Sequence, residues 1–179
     1  MPQPTMGLVP WLPSTWPQPP ARVTQDFIKT LGEIFQESML EEIGNVIQDA
    51  KGDLDRRGHV VAISLMCALD AISTYGYRGN HMSKFIKAHF PDDYKTHCDR
   101  FYTLYRNSLV HSWNLFRATL YPGDEPVKDV GGILTFGLLN FKKALEQSVA
   151  DFLKMLEVNV QLQNNTLNRY SNLKKSAKP

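Results

Sequence analysis

The sequence predicts an all-α fold, a bundle of four to five helices with a short β-hairpin before the last long helix. Three observations carry that expectation. Apolar residues recur at three- and four-residue steps over most of the chain, the period of one helix face. The connections between these stretches are short, as in a bundle. No succession of strands and helices and no Gly-rich phosphate loop marks a doubly wound sheet or a P-loop fold. At 179 residues, 42% of them hydrophobic, the chain suits one core that buries about two-thirds of its unfolded surface.

Residues 1–22 read as a Pro/Trp-rich N-terminal arm. Its prolines stand too close together for a helix, because each fixes φ and removes a backbone donor. Trp11 and Trp16 are large aromatic side chains that gain by leaving water, so the arm is expected to lie against the domain or a partner, with a recruitment segment as the alternative. The helical domain, residues 23–165, opens at Thr24, a plausible N-cap. Phe27, Ile28, Leu31, Ile34, Phe35, Leu40, Ile43, Val46 and Ile47 then form the apolar face of a long amphipathic helix. "GDLDRRG" interrupts it, and "HVVAISLMCALDAISTY" follows as a helix apolar on nearly every face, which should be central and wrapped by its neighbours.

A shorter helix, "NHMSKFIKAHF", leads to Pro91, and a new helix begins in "DDYKTHCDRFYTLYRNSLVHSWNLF" with acidic residues where a helix N-terminus favours them. "RATLY" and "GILTF" flank a Pro/Gly/Asp-rich connection and are expected to pair as a two-stranded ribbon. The last long helix carries Leu138, Phe141, Leu145, Val149, Phe152, Leu156 and Val160 on one stripe. Residues 166–179 read as a polar, basic C-terminal tail that frays.

A formal net charge of +2 does not mark the whole protein as a nucleic-acid or membrane-surface binder, so any partner has to be recognised locally. Cys67 and Cys98 form no CxxC and no regular framework, which fits a reducing compartment. No uninterrupted apolar run approaches the roughly 20 residues of a bilayer span, and the N-terminus lacks signal-peptide order. A cytoplasmic protein with no membrane partner is expected.

One stretch, "LYRNSLVHSWNLF", does not fit a purely structural helix, because Arg106, Asn107 and His111 interrupt a run that would otherwise bury well. Asn107 and His111 are four apart and share a helix face. Arg106 lies about 140° round from His111, a gap its long side chain can close. Together they offer a multi-donor cation for phosphate oxygens, an imidazole that moves a proton near neutral pH, and an amide to orient either. These are the parts needed to cleave RNA without a metal.

This R-N-S-L-V-H stretch resembles the R-x4-6-H motif of the HEPN superfamily, small α-helical domains of bacterial toxin modules, CRISPR-associated ribonucleases and kinase-linked stress ribonucleases. Asn107 stands where that motif often has a polar residue after its arginine, and the motif's place on a late helix is similar. The resemblance implies a metal-independent endoribonuclease with Arg106 and His111 catalytic and Asn107 supporting, in a site shared across a homodimer. It further implies an RNA substrate, no cofactor, no metal, and an antitoxin or regulatory protein as a partner in a defence or toxin-antitoxin module. Tyr105, Leu109 and Trp113 around the motif are of types found in interface cores, although facing the bundle is their commoner fate.

The alternative is a catalytically inactive helical interaction domain, in which Arg106 pairs with Asp99 or an acidic residue of the first helix and His111 bonds a carbonyl. Other candidates are weaker. His81, His89 and His97 recur at eight-residue steps, but Pro91 breaks their register, and Asp93 with His97 supplies two ligands where zinc wants three or four. Ser108 and Ser112 sit inside a helix without a nucleophile elbow. Lys174, Lys175 and Lys178 read as part of a solvated tail.

Overall fold

The computed structural model describes residues 16–49, 54–104 and 118–177. They are mostly helical and include a small sheet. In order they form α1 (Gln25–Gly32), a π-helical segment (Glu33–Leu40), α2 (Glu41–Asp49), α3 (Leu54–Gly76), α4 (His81–His89), α5 (Asp92–Lys95) and α6 (Cys98–Thr103). Strands β1 (Ala118–Tyr121), β2 (Lys128–Val130) and β3 (Ile133–Gly137) follow, then α7 (Leu138–Met155) and α8 (Val160–Ser176).

Thr24 caps α1 as expected, its Oγ1 accepting from the Phe27 N–H at 3.2 Å. The first amphipathic stretch is not one regular α-helix, however. Between Phe35 and Leu40, both buried, the apolar step is five residues, one more than an α-turn brings back to the same face. A π-helical register closes i to i+5, and the Glu41 N–H accordingly bonds the Gln36 carbonyl. The wider turn keeps Ile34, Phe35, Leu40, Ile43 and Ile47 all against the core.

Helix α3 is the central element, with α2, α4, α7 and α8 packed around it. Leu65, Met66, Leu69 and Ile72 along it are fully buried. Its stretch Gly58–Gly76 has a mean hydropathy of 1.3, enough by length and composition to cross a bilayer, but 50% of it is buried inside the protein. The apolar character is thus matched by the wrapped position. Below it, Phe85, Phe90, Tyr94, Phe101, Phe136, Phe141 and Phe152 form a continuous aromatic cluster, with neighbouring rings such as Phe101 and Phe141 at 5.3 Å.

Four further expectations are corrected. The helix foreseen from Asp92 is broken into α5 and α6, where the His97 N–H bonds Tyr94 O at 3.0 Å and the Thr96 hydroxyl bonds Asp93 O at 3.2 Å, tighter closures that end the first turn. The mostly helical expectation holds, but in place of one two-stranded hairpin there are three strands, in the order β1–β3–β2. "ATLY" and "ILTFG" do pair, with Ala118 opposite Leu134, but in parallel. The hairpin is instead β2–β3, closed by Gly131 and Gly132 at φ +61° and +84°, the two positive values a two-residue type I′ turn requires.

The last correction concerns the C-terminus. The α7 helix ends near Leu156, and the residues read as a continuation and a fraying tail make a second helix, α8, capped by Asn159, whose Oδ1 accepts from Leu162 N–H at 3.0 Å. Leu162, Thr166 and Tyr170 recur at four-residue steps and are buried against α3, while Val160, assigned to the earlier stripe, is exposed. Two polar side chains of α8 satisfy carbonyls at the end of α3: Asn165 Nδ2 donates to Gly76 O at 2.8 Å and the Thr166 hydroxyl to Tyr75 O at 3.3 Å. Polar residues here dock the helix as apolar ones usually do. Trp16, within the arm, is buried and stacks on Tyr170 at 5.4 Å, and the Tyr170 hydroxyl donates to Pro17 O at 3.0 Å. Trp11 lies outside the described residues.

Candidate functional site

Arg106, Asn107 and His111 fall within residues 105–117, outside the described residues. Ser108, Ser112, Tyr105, Leu109 and Trp113 lie there too. What the structure does give is the frame on either side. Leu104, which follows α6, is 5% exposed, and Ala118, which opens β1, is 8% exposed, so the described residues on either side are core positions. Helix α6 is tied to the β2–β3 hairpin by Arg100, whose guanidinium pairs with Asp129 and donates to Gly132 O at 2.7 Å. Gly137 at the end of β3 fixes the sheet to the loop between β1 and β2. A Cβ there would stand 2.3 Å from Gly123 O and 2.6 Å from Glu125 N, so only glycine allows this approach.

Asp99, the acid the non-catalytic alternative offers to Arg106, is exposed and lies 3.9 Å from Lys87 Nζ, with Asn80 Nδ2 at 3.5 Å.

The histidines weighed as metal ligands are held apart. His81 lies between Asp70 Oδ1 at 2.7 Å and Gly79 O at 2.8 Å. Asp93 Oδ1 accepts from Tyr94 N–H at 3.1 Å. Among the described residues no three His, Cys, Asp or Glu side chains converge as a metal would need.

His89 is the residue of that set with the most developed surroundings. Its imidazole is fully buried among Phe85, Phe152 and Tyr77. Nδ1–H donates to Asp151 Oδ2 at 2.7 Å, and the Tyr77 hydroxyl donates to Nε2 at 2.9 Å. Burial pushes the His89 pKa down, and the bond to Asp151 only partly opposes it. Burial also pushes the Tyr77 phenol up, with the Asp151 charge adding to it. A Tyr–His–Asp chain has the outline of a proton relay, but here both ring nitrogens are taken and no face of the imidazole is open. Its work is to tie α4 to α7.

An apolar groove of about 530 Å³ lies between the π-helical segment, α2, α3 and α8. Trp16, Phe35, Met39, Ile43, Cys67 and Leu173 supply much of its wall. Its polar lining residues are Ser38, Glu42, Ser64, Tyr75 and Arg169. Arg169 is steered by its Nε, which donates to the Thr74 hydroxyl at 3.0 Å, and it makes no ion pair with any described residue. The Tyr75 phenol is raised well above its usual range by burial, against the lowering effect of the nearby Arg169 charge. Sequence reasoning missed both residues. Tyr75 reads as the end of a core helix, and Arg169 lies in the stretch read as a tail, so no local signal marks either.

No family model, curated protein or solved structure matches the chain. The HEPN resemblance therefore stands on the residues of its motif.

Proposed function

We propose that the chain is a metal-independent endoribonuclease of HEPN type, the toxin-like component of a defence or toxin-antitoxin module. The observation that carries this reading is the sequence Arg106-Asn107-Ser108-Leu109-Val110-His111 following a helix of a mostly helical domain. The reading is supported by the frame around the motif, whose flanking residues Leu104 and Ala118 are both core positions.

In this mechanism an imidazole takes the proton of the ribose 2′-hydroxyl, the 2′-oxygen attacks phosphorus, and the bond to the 5′-oxygen breaks as that oxygen gains a proton. The products are a 2′,3′-cyclic phosphate and a 5′-hydroxyl. Arg106 stabilises the charge that builds on the phosphoryl oxygens, and Asn107 orients either partner. One His111 cannot serve well as base and acid at once, so two copies meeting across a twofold axis complete the site.

The test is incubation of the purified protein with single-stranded and structured RNA in excess EDTA, followed by end-group analysis. Cyclic phosphate ends are expected, and a DNA strand of the same sequence stays whole. An Arg106→Ala variant should lose about 100-fold or more in turnover, by analogy with removal of an oxyanion donor. Specific activity should fall as the protein is diluted through its dimer dissociation range. Products with 5′-phosphate ends, or cleavage abolished by chelator, would refute the mechanism, and intact RNA throughout would leave the inactive interaction domain as the better reading.

A further inference from the structure

The groove bounded by Trp16, α2, α3 and α8 has the composition of a ligand site and has no part in the proposed cleavage. Its volume of about 530 Å³ lies inside the range of small-molecule pockets, roughly 300–1,000 Å³. The wall is apolar except at a few points, and two of those, Arg169 and Tyr75, carry unused donors. The Nε of Arg169 is spent on Thr74, which aims the guanidinium and leaves its terminal nitrogens without a bond to any described residue. The Tyr75 hydroxyl makes no hydrogen bond to a described residue, and since no buried side-chain oxygen or nitrogen lacks a partner among those residues, this oxygen is open to the groove. Glu42 also borders the groove, but it is exposed and does not reach ion-pairing distance of Arg169.

A half-buried guanidinium beside apolar surface loses hydration, and an ion pair is what restores it. Terminal guanidinium nitrogens accept a carboxylate in two parallel bonds, and a phenol O–H can add a third. Apolar wall and cationic corner together ask for one kind of molecule. We propose that this groove binds a small amphipathic organic anion, an aliphatic carboxylate whose chain lies along Phe35, Met39, Ile43 and Leu173 and whose carboxylate meets Arg169 and the Tyr75 hydroxyl. Cys67 borders the same groove and is exposed, whereas Cys98 is buried, so the chain carries its own reporter.

The experiment uses the full chain with octanoate and octan-1-ol as probes, in calorimetric titration and in a kinetic assay of Cys67 alkylation by N-ethylmaleimide. Octanoate should bind saturably at one per chain and slow Cys67 alkylation. Octan-1-ol should bind about tenfold or more weaker, the loss expected when a charge-assisted bond goes unmade. Arg169→Gln should abolish the preference for the anion, and Ala71→Trp, which fills the groove from α3, should abolish binding of both probes. Arg169→Lys keeps the charge and should retain part of the preference, which separates a charge effect from a folding defect. Absence of saturable octanoate binding by the natural chain would overturn the proposal. Equal affinity for the two probes would overturn it too, as would binding that emerges only after residues 1–15 are deleted, which would make the chain's own segment the occupant.

Discussion

His89, between α4 and α7, and Arg169, on α8 beside the apolar groove, are both basic side chains drawn into the fold, but only the first has every polar atom matched. His89 gives Nδ1–H to Asp151 and receives the Tyr77 hydroxyl at Nε2, inside an aromatic cage. Arg169 spends one nitrogen on Thr74 and keeps the rest for the groove. A buried polar group whose partners are complete holds structure, because nothing is gained by adding a ligand. A half-buried one whose remaining donors reach an open groove is available for recognition.

That contrast can be broken most forcefully at His89. Replacing it with alanine leaves a cavity among Phe85, Phe152 and Tyr77 and orphans the Tyr77 hydroxyl, and we expect a loss of about 3 kcal/mol or more in unfolding free energy, read by chemical denaturation. A loss below about 1 kcal/mol would show that the cage is not what holds α4 to α7. Truncating Asp151 to alanine should cost less, roughly 1–2 kcal/mol, because that carboxylate is 47% exposed and water replaces part of what it loses.

Acid sharpens the same comparison. Since burial lowers the His89 pKa below its ordinary 6.5, the unfolded chain binds a proton at that ring before the folded chain does. The stability this contributes is complete above about pH 6.5 and is lost as pH falls through the lower folded value. Melting temperature should therefore drop on acidification below about pH 6.5, and His89→Phe should flatten that part of the profile. An unchanged slope in the variant would assign the acid sensitivity elsewhere. The smallest effect belongs to the groove: Arg169→Gln should shift stability by no more than about 0.5 kcal/mol, because its missing partners are not part of the fold.

How much of this was legible in the sequence follows the range of each signal. The Thr24 cap, the central position of α3 and the Leu138-to-Phe152 stripe are set by neighbours three or four residues away, and all three were readable. The π register needed attention to a single five-residue step between Phe35 and Leu40. The parallel pairing of β1 with β3 depends on a long-range choice, although Gly131-Gly132 did advertise the hairpin turn. Helix α8 was misread because its buried face is carried partly by Thr166 and Tyr170, and because Asn165 and Thr166 dock by bonding carbonyls of α3. His89 was weighed only as a metal ligand, since its real partners stand 12 and 62 positions away. Tyr75 and Arg169 are likewise 94 positions apart, too far for any motif. Of the candidate catalytic residues, Arg106, Asn107 and His111 lie outside the described residues, so their reading remains one of sequence.

The most direct measurement of the central claim is a time course with an end-labelled RNA in EDTA, comparing the natural chain with His111→Ala at equal concentration and equal melting temperature. The account expects accumulation of fragments with 2′,3′-cyclic phosphate ends from the natural chain and none above background from the variant. Equal cleavage by both proteins would contradict it.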